Sequence, residues 1–198
     1  MSLILDKLYI CNLEKYVGIK LKIIQKENNT EIIQDSELRY SLELKTDNIY
    51  IFSCIERGEK IKICEYSSEL EMKRKLAISI RGFMGEKINY INGDDFENTK
   101  NIVELDKLMN LYIGEKYYSI SNPQTMKINL EVSNNKYSIY LFDKNGEKIY
   151  KEENEEAPYV FYRFYSESLF YKNMLEKINS YEIIFNDILT EEEKHELY

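Results

Sequence analysis

The chain has 198 residues, 43% apolar and 31% charged, with two prolines and seven glycines, which excludes disorder and a long flexible linker. That length suits one domain or two small ones. The net charge of −8 excludes a general nucleic-acid surface, which needs clustered lysine and arginine to displace counterions. No apolar run reaches the roughly 18 residues of a membrane span. The first apolar stretch contains Asp6 and Glu14 and has no basic leader, so a signal peptide is not expected and a cytoplasmic protein is.

In chain order, the pattern predicts an amphipathic helix over residues 2–14 and then strands over 17–25, 39–46, 48–56 and 59–66. Arg57-Gly58 is the turn between the last two. Ser68 with Glu71 reads as a capping box opening a helix whose apolar stripe includes Met72, Leu76 and Phe83. The order then recurs. A helix is predicted over 98–111, with Ile102, Leu105, Leu108 and Met109 on one face, followed by strands over 115–121, 125–133, 136–143 and 147–153. Asn145-Gly146 predicts a type I′ hairpin turn, because both central positions must accept positive φ. Pro158, after Glu155 and Glu156, suits the first turn of a closing helix with a stripe of Val160, Phe164 and Tyr171. Thr190 and Glu193 predict one more short helix.

Five short matches run in the same order with offsets of about 88 to 100. They are Leu5-Asp6-Lys7-Leu8 with Leu105-Asp106-Lys107-Leu108, Tyr16-Val17-Gly18 with Tyr112-Ile113-Gly114, and Leu42-Glu43-Leu44 with Leu130-Glu131-Val132. Gly58-Glu59-Lys60-Ile61 also matches Gly146-Glu147-Lys148-Ile149, and Glu86-Lys87-Ile88-Asn89 matches Glu176-Lys177-Ile178-Asn179. The expected fold is therefore α+β, with two tandem copies of a helix, a four-stranded antiparallel meander and a helix. Residues 1–92 form the first copy and 93–198 the second. Residues 1–88 hold 15 basic and 14 acidic side chains, whereas 89–198 hold 12 and 21, so the acidity is expected in the second copy.

Catalytic and cofactor motifs are missing from the sequence. Cys11, Cys54 and Cys64 have no CxxC spacing and are expected to be reduced and mostly buried. The single histidine, His195, lies three residues from the end, a poor place for a base that must be held beside a nucleophile. It is expected to be a solvated helix residue. No GxGxxG, P-loop, HExxH or DxDxDG pattern occurs. No enzyme, cofactor or metal is expected.

One feature points to an interface. In the closing helix of the second copy, Val160, Phe161, Phe164, Tyr171, Leu175 and Ile178 share one side, while Tyr159, Tyr162, Ser166 and Phe170 face the other. Aromatics on that second side, beside Glu152, Glu153, Glu155 and Glu156, are typical interface material. A bland alternative stays open: the same face packs on the other copy or on a homodimer mate. Tyr159, Tyr162, Phe170 and these four glutamates form the candidate partner-binding set. The 18 tyrosines are no argument by themselves, because an AT-rich genome produces that skew through codon usage.

Residues 102–178, with Tyr137-Ser138-Ile139-Tyr140-Leu141-Phe142-Asp143-Lys144-Asn145-Gly146 leading into an acidic, aromatic helix, resemble immunity proteins of bacterial polymorphic toxin systems. Residues 5–88 look like a worn copy of the same pattern. The resemblance implies a non-enzymatic protein that binds and blocks a cognate toxin domain, often a basic nuclease, for which an acidic surface supplies electrostatic steering. It implies a protein partner, with no nucleic acid and no membrane. Two alternatives remain: a phage-type antagonist of a host defence complex, and a structural homo-oligomer with no foreign partner.

Overall fold

A computed structural model describes residues 4–34, 37–45, 48–85, 93–143 and 145–195, apart from the side chains of Phe83, Glu192 and His195. The fold is α+β, with two sheets. By the density of its internal contacts the chain divides into two units, Met1–Lys87 with Lys177–Leu197, and Ile88–Glu176 with Tyr198.

The first unit opens with α1 (Lys7–Val17). Asp6 caps it by accepting the Tyr9 N–H at 2.8 Å. That backbone hydrogen bond is the main reason its carboxyl lies below the usual aspartate value. Gly18, at φ +85°, closes the helix by donating its N–H to the Glu14 carbonyl. Five antiparallel strands follow in sheet order β1 (Lys22–Lys26), β2 (Asn29–Ile33), β3 (Leu38–Leu44), β4 (Tyr50–Glu56) and β5 (Glu59–Tyr66). Helix α2 (Glu69–Met84) begins where Ser68 Oγ accepts the Glu71 N–H. It buries Met72, Leu76, Ala77 and Ile80 completely. Arg81 of α2 donates one Nη to the Tyr16 and Val17 carbonyls at 2.6 and 2.7 Å, so a side chain finishes the C-terminus of α1.

Four strands were expected here and five occur. The stretch predicted as one strand over 17–25 is the end of α1 followed by β1. A hairpin turning at Glu27-Asn28, with Asn28 at φ +58°, adds β2. The Asn28-Asn29 pair carried that turn signal. Arg57 and Gly58, at φ +49° and +87°, link Glu56 to Glu59 as a two-residue turn with both central residues at positive φ.

The second unit contains α3 (Gly93–Glu97), α4 (Ile102–Tyr112), β6 (Tyr118–Ile120), β7 (Ile128–Ser133), β8 (Lys136–Phe142), β9 (Lys148–Glu155) and the start of α5 (Tyr159–Phe185). Asn101 caps α4 by accepting the N–H groups of Val103 and Glu104. Phe161 and Phe164 of α5 meet Tyr137 and Tyr118 edge-on at 5.0 and 5.9 Å. The expected antiparallel meander is corrected at its first strand, because β6 runs parallel to β7. The Asn129 side chain donates to the carbonyls of Gln124 and Lys127 and accepts the Gln124 N–H. That clamp turns the 121–127 loop back so that β7 enters alongside β6 in the same direction. The Asn145-Gly146 turn is also wider than the expected two residues. The Asp143 N–H bonds the Glu147 carbonyl, and Asp143 Oδ1 accepts the N–H groups of Asn145 and Glu147.

Pro158 lies just before α5 rather than inside its first turn, joined to Ala157 by a cis peptide. Residues 177–185 of α5 and the short α6 (Glu191–His195) group with the first unit, so the division differs from the expected 1–92 and 93–198. The cause is packing that no local pattern encodes. Tyr181 stacks on Phe185 at 4.7 Å and meets Tyr16 edge-on at 5.6 Å. Arg74 grips Asp187 through Nε and Nη2 at 2.7 and 2.5 Å. Thr190 and Glu193 form the reciprocal capping box of α6.

Candidate functional site

Strand β9 and the first turn of α5 carry Glu152, Glu153, Glu155 and Tyr159, with Glu156 between them, while Tyr162 and Phe170 lie one and three turns further along α5. β9 is irregular: its register with β8 shifts twice, so that Tyr137 faces Glu155, Ile139 faces Glu152 and Tyr140 faces Tyr150. Asn154, at φ +57°, donates its N–H to Ser138 Oγ at 3.1 Å and fixes one of the bulges. The bulge between Glu152 and Glu155, three apart and so on opposite faces of a regular strand, sets both on one face.

The four glutamates differ in state. Glu152 accepts Arg163 Nε at 2.7 Å, and Tyr159 Oη lies 3.5 Å from the same oxygen. Arg163 also donates Nη2 to Glu167 at 3.1 Å, and these carboxylates, Glu152 first, hold its guanidinium pKa above the usual value. Glu156 is paired with Lys136 at 3.4 Å. Glu153 is exposed and Glu155 half-exposed, and neither has an ion-pair partner among the described residues. The sequence did not identify Arg163 or Lys136 as partners. The Arg163–Glu167 spacing of four was readable, but the tie to Glu152 depends on how β9 and α5 pack.

The aromatic residues differ in the same way. Tyr159 is 53% exposed. Tyr162 is half-buried against α3, where a Cβ on Gly93 would stand 3.0 Å from its ring, and Phe170 is also half-buried. Ser166, placed on the second side of the helix, is 8% exposed. Much of the supposed surplus is therefore internal packing. Phe96 of α3 stacks on Tyr165 at 4.1 Å and 11°, and α3, too short to show a period in the sequence, packs on Tyr162 and Tyr165 of α5. The first side is as predicted: Val160, Phe161, Phe164, Tyr171 and Ile178 are buried and Leu175 is half-buried.

The charge distribution also changes once the units are known. Residues 88–176 with Tyr198 carry 15 acidic and 10 basic side chains, a net of −5. Residues 1–87 with 177–197 carry 20 and 17, a net of −3. Much of the acidity assigned to the second half lies in the stretch that returns to the first unit.

The cysteines are free, but Cys11 is exposed and Cys54 and Cys64 are half-exposed, which corrects the expectation of mostly buried thiols. The latter two lie on β4 and β5, toward one margin of their sheet. The expectation for the His195 side chain lies outside the described residues. Among the described residues no helix is long and apolar enough to cross a membrane, and no group of three or more His, Cys, Asp or Glu is placed to hold a metal ion. No family model matches the chain, and no curated protein or solved structure matches it.

Proposed function

We propose that the chain is a non-enzymatic binding protein that neutralises a basic protein partner, in the manner of an immunity protein that blocks a toxin domain. The observation that carries this reading is the margin formed by β9 and α5. Tyr159, 53% exposed, opens α5 there, and Glu153 and Glu155 at the end of β9 have no ion-pair partner among the described residues. An exposed aromatic at the start of a helix, following two unpaired carboxylates on the preceding strand, suits a basic surface, because the charges speed encounter and the ring supplies buried area. The contact set is Tyr159, Glu153 and Glu155 at its centre. Glu152 and Glu156 are already paired, and Tyr162 and Phe170 are supporting residues.

The test is a growth-rescue assay with the toxin domain encoded beside this chain's gene, together with binding kinetics at two salt concentrations. Wild type should rescue growth. The Tyr159→Ala/Glu153→Lys/Glu155→Lys variant should bind about 100-fold more weakly, losing much of its salt-dependent on-rate. A neighbourhood without a toxin gene, or undiminished binding by the triple variant, would sink the reading.

We read the two units as diverged copies of one ancestor. Glu43 of β3 pairs with Lys60 of β5 two strands away, and Glu131 of β7 pairs with Lys148 of β9 in the same way. Gly18 and Gly114 both follow a helix at positive φ, and Met72 and Leu76 are as fully buried as Val160 and Phe164. One of the five sequence matches does not serve the same role, since Asp6 caps α1 whereas Asp106 lies inside α4. The Glu86–Asn89 member of another lies outside the described residues. If the copies share a helix-ending device, Gly18→Ala and Gly114→Ala should each cost about 1 kcal/mol in chemical denaturation. A cost at only one of them would count against common descent of that feature.

A further inference from the structure

The two sheets have four edges, and three of them are guarded. β1 is five residues long with lysine at both ends, and its Gln25 side chain is bonded to the backbone of Leu5. β6 has three residues. β9 carries two bulges, which leave Lys148 opposite Phe142 and Glu155 opposite Tyr137, positions five apart on β8 and so on opposite faces. β5 is different. It has eight residues, Glu59-Lys60-Ile61-Lys62-Ile63-Cys64-Glu65-Tyr66, and exposes Ile61 by 57% and Ile63 by 36%. Among the described residues its backbone bonds to no element but β4.

The single irregularity in β5 makes it complementary to itself. The register moves from Phe52 opposite Cys64 to Ser53 opposite Lys62, so the extra residue is Ile63. An antiparallel pair sets directly opposite residues on one face of the sheet. In a regular strand Lys60 and Glu65, five apart, would lie on opposite faces. The bulge cancels that offset. Lys60 is opposite Ile55 and Glu65 opposite Ile51, while Ile61 is opposite Cys54 and Cys64 opposite Phe52, so each pair shares a face.

We propose that β5 is a homodimer edge, on which a second copy of this chain lays its own β5 antiparallel about a two-fold axis at the bulge. Lys60 then faces Glu65 of the second copy, Ile61 faces its Cys64, and the same contacts repeat by symmetry. The sequence pattern is its own charge complement in this register and in this strand alone of the two long edges. Edge pairing buries less than the roughly 1,200 Å² of a standard interface, so the dimer is weak, with Kd in the range of about 1–100 μM. Within one chain Lys60 already reaches Glu43 and Lys62 reaches Glu65, surface pairs that yield readily to a new partner. This proposal is independent of the β9–α5 surface.

The test is analytical ultracentrifugation of the full chain from about 5 to 200 μM, with thermal melts to confirm that the exposed-site variants fold. Wild type should dimerise reversibly. Lys60→Glu or Glu65→Lys alone, placing like charges opposite each other twice, should raise Kd about tenfold or more. The double variant should return to within about threefold of wild type. Mixing the two single variants should form a heterodimer, because each then supplies the charge that the other lacks. A wild-type monomer throughout the range, a dimer indifferent to the single changes, or a failure of either recovery would overturn the proposal.

Discussion

Arg74→Ala is expected to lower the stability of the first unit by about 3 kcal/mol, the scale for removing one partner of a largely buried ion pair. Arg74 on α2 presents Nε and Nη2 to the two Asp187 oxygens, the bidentate geometry in which arginine is strongest. Tyr181 Oη donates to the same carboxylate at 3.1 Å, and the buried Glu193 lies 3.7 Å from Arg74 Nη1. Loss of the guanidinium leaves two carboxylates poorly compensated in a site that exposes only about a fifth of the Arg74 and Asp187 side chains. The protein should answer by releasing 186–195 from α2, so amide exchange ought to accelerate in that segment and in α2 before it does so in the β3–β4 pair.

The pH dependence has a definite sign. The Arg74 hydrogen bond holds the Asp187 carboxyl below its ordinary value of 3.8. A group with a depressed folded pKa contributes stability that is complete above the unfolded value and disappears as pH falls through the folded one. The gap between wild type and Arg74→Ala in urea denaturation should therefore be constant from about pH 7 to 5 and shrink below about pH 4. Asp187→Asn should remove that pH dependence while keeping the side-chain shape. A gap under about 1 kcal/mol at pH 7, or one unchanged at low pH, would show that the pair is a surface contact of little weight.

The same residues show what the sequence could and could not express. The helix-capping signals were faithful. Ser68 with Glu71 and Thr190 with Glu193 cap the helices they predicted. The largest failure lies where a segment's fate depends on residues far away in the chain. The return of 177–195 to the first unit depends on Arg74, more than a hundred positions earlier, whereas the parallel entry of β7 beside β6 turns on the short-range Asn129 clamp, for which no turn pattern was read. The candidate site was half legible for the same reason. The acidic run and the aromatic helix can be seen in the residues, but Arg163 and Lys136 as the neutralising partners of Glu152 and Glu156 emerge only when β9, β8 and α5 are packed. Helix α3 is the most consequential omission. Five residues, Gly93 to Glu97, give too short a period to register.

Phe96→Ala should cost the second unit about 3–4 kcal/mol, more than the length of α3 suggests, because Phe96 is its only fully buried side chain. Its ring lies parallel to Tyr165 at 4.1 Å and tilted to Tyr112 at 6.0 Å. Truncation would remove both contacts and leave a gap that the five-residue helix cannot close without moving Gly93 off Tyr162. The expected result is faster amide exchange over 93–112 and the first turns of α5, with new binding of a hydrophobic dye to the uncovered tyrosines. Partner binding distinguishes two accounts of the aromatic helix. If α3 covers Tyr162 as a packing element, Phe96→Ala weakens binding only in proportion to lost stability, while Tyr159→Ala weakens it in a fully folded protein. If Phe96→Ala costs less than about 1 kcal/mol and Tyr162→Ala matches Tyr159→Ala in binding, the whole aromatic side of α5 is available to a partner, and the packing account of Tyr162 falls.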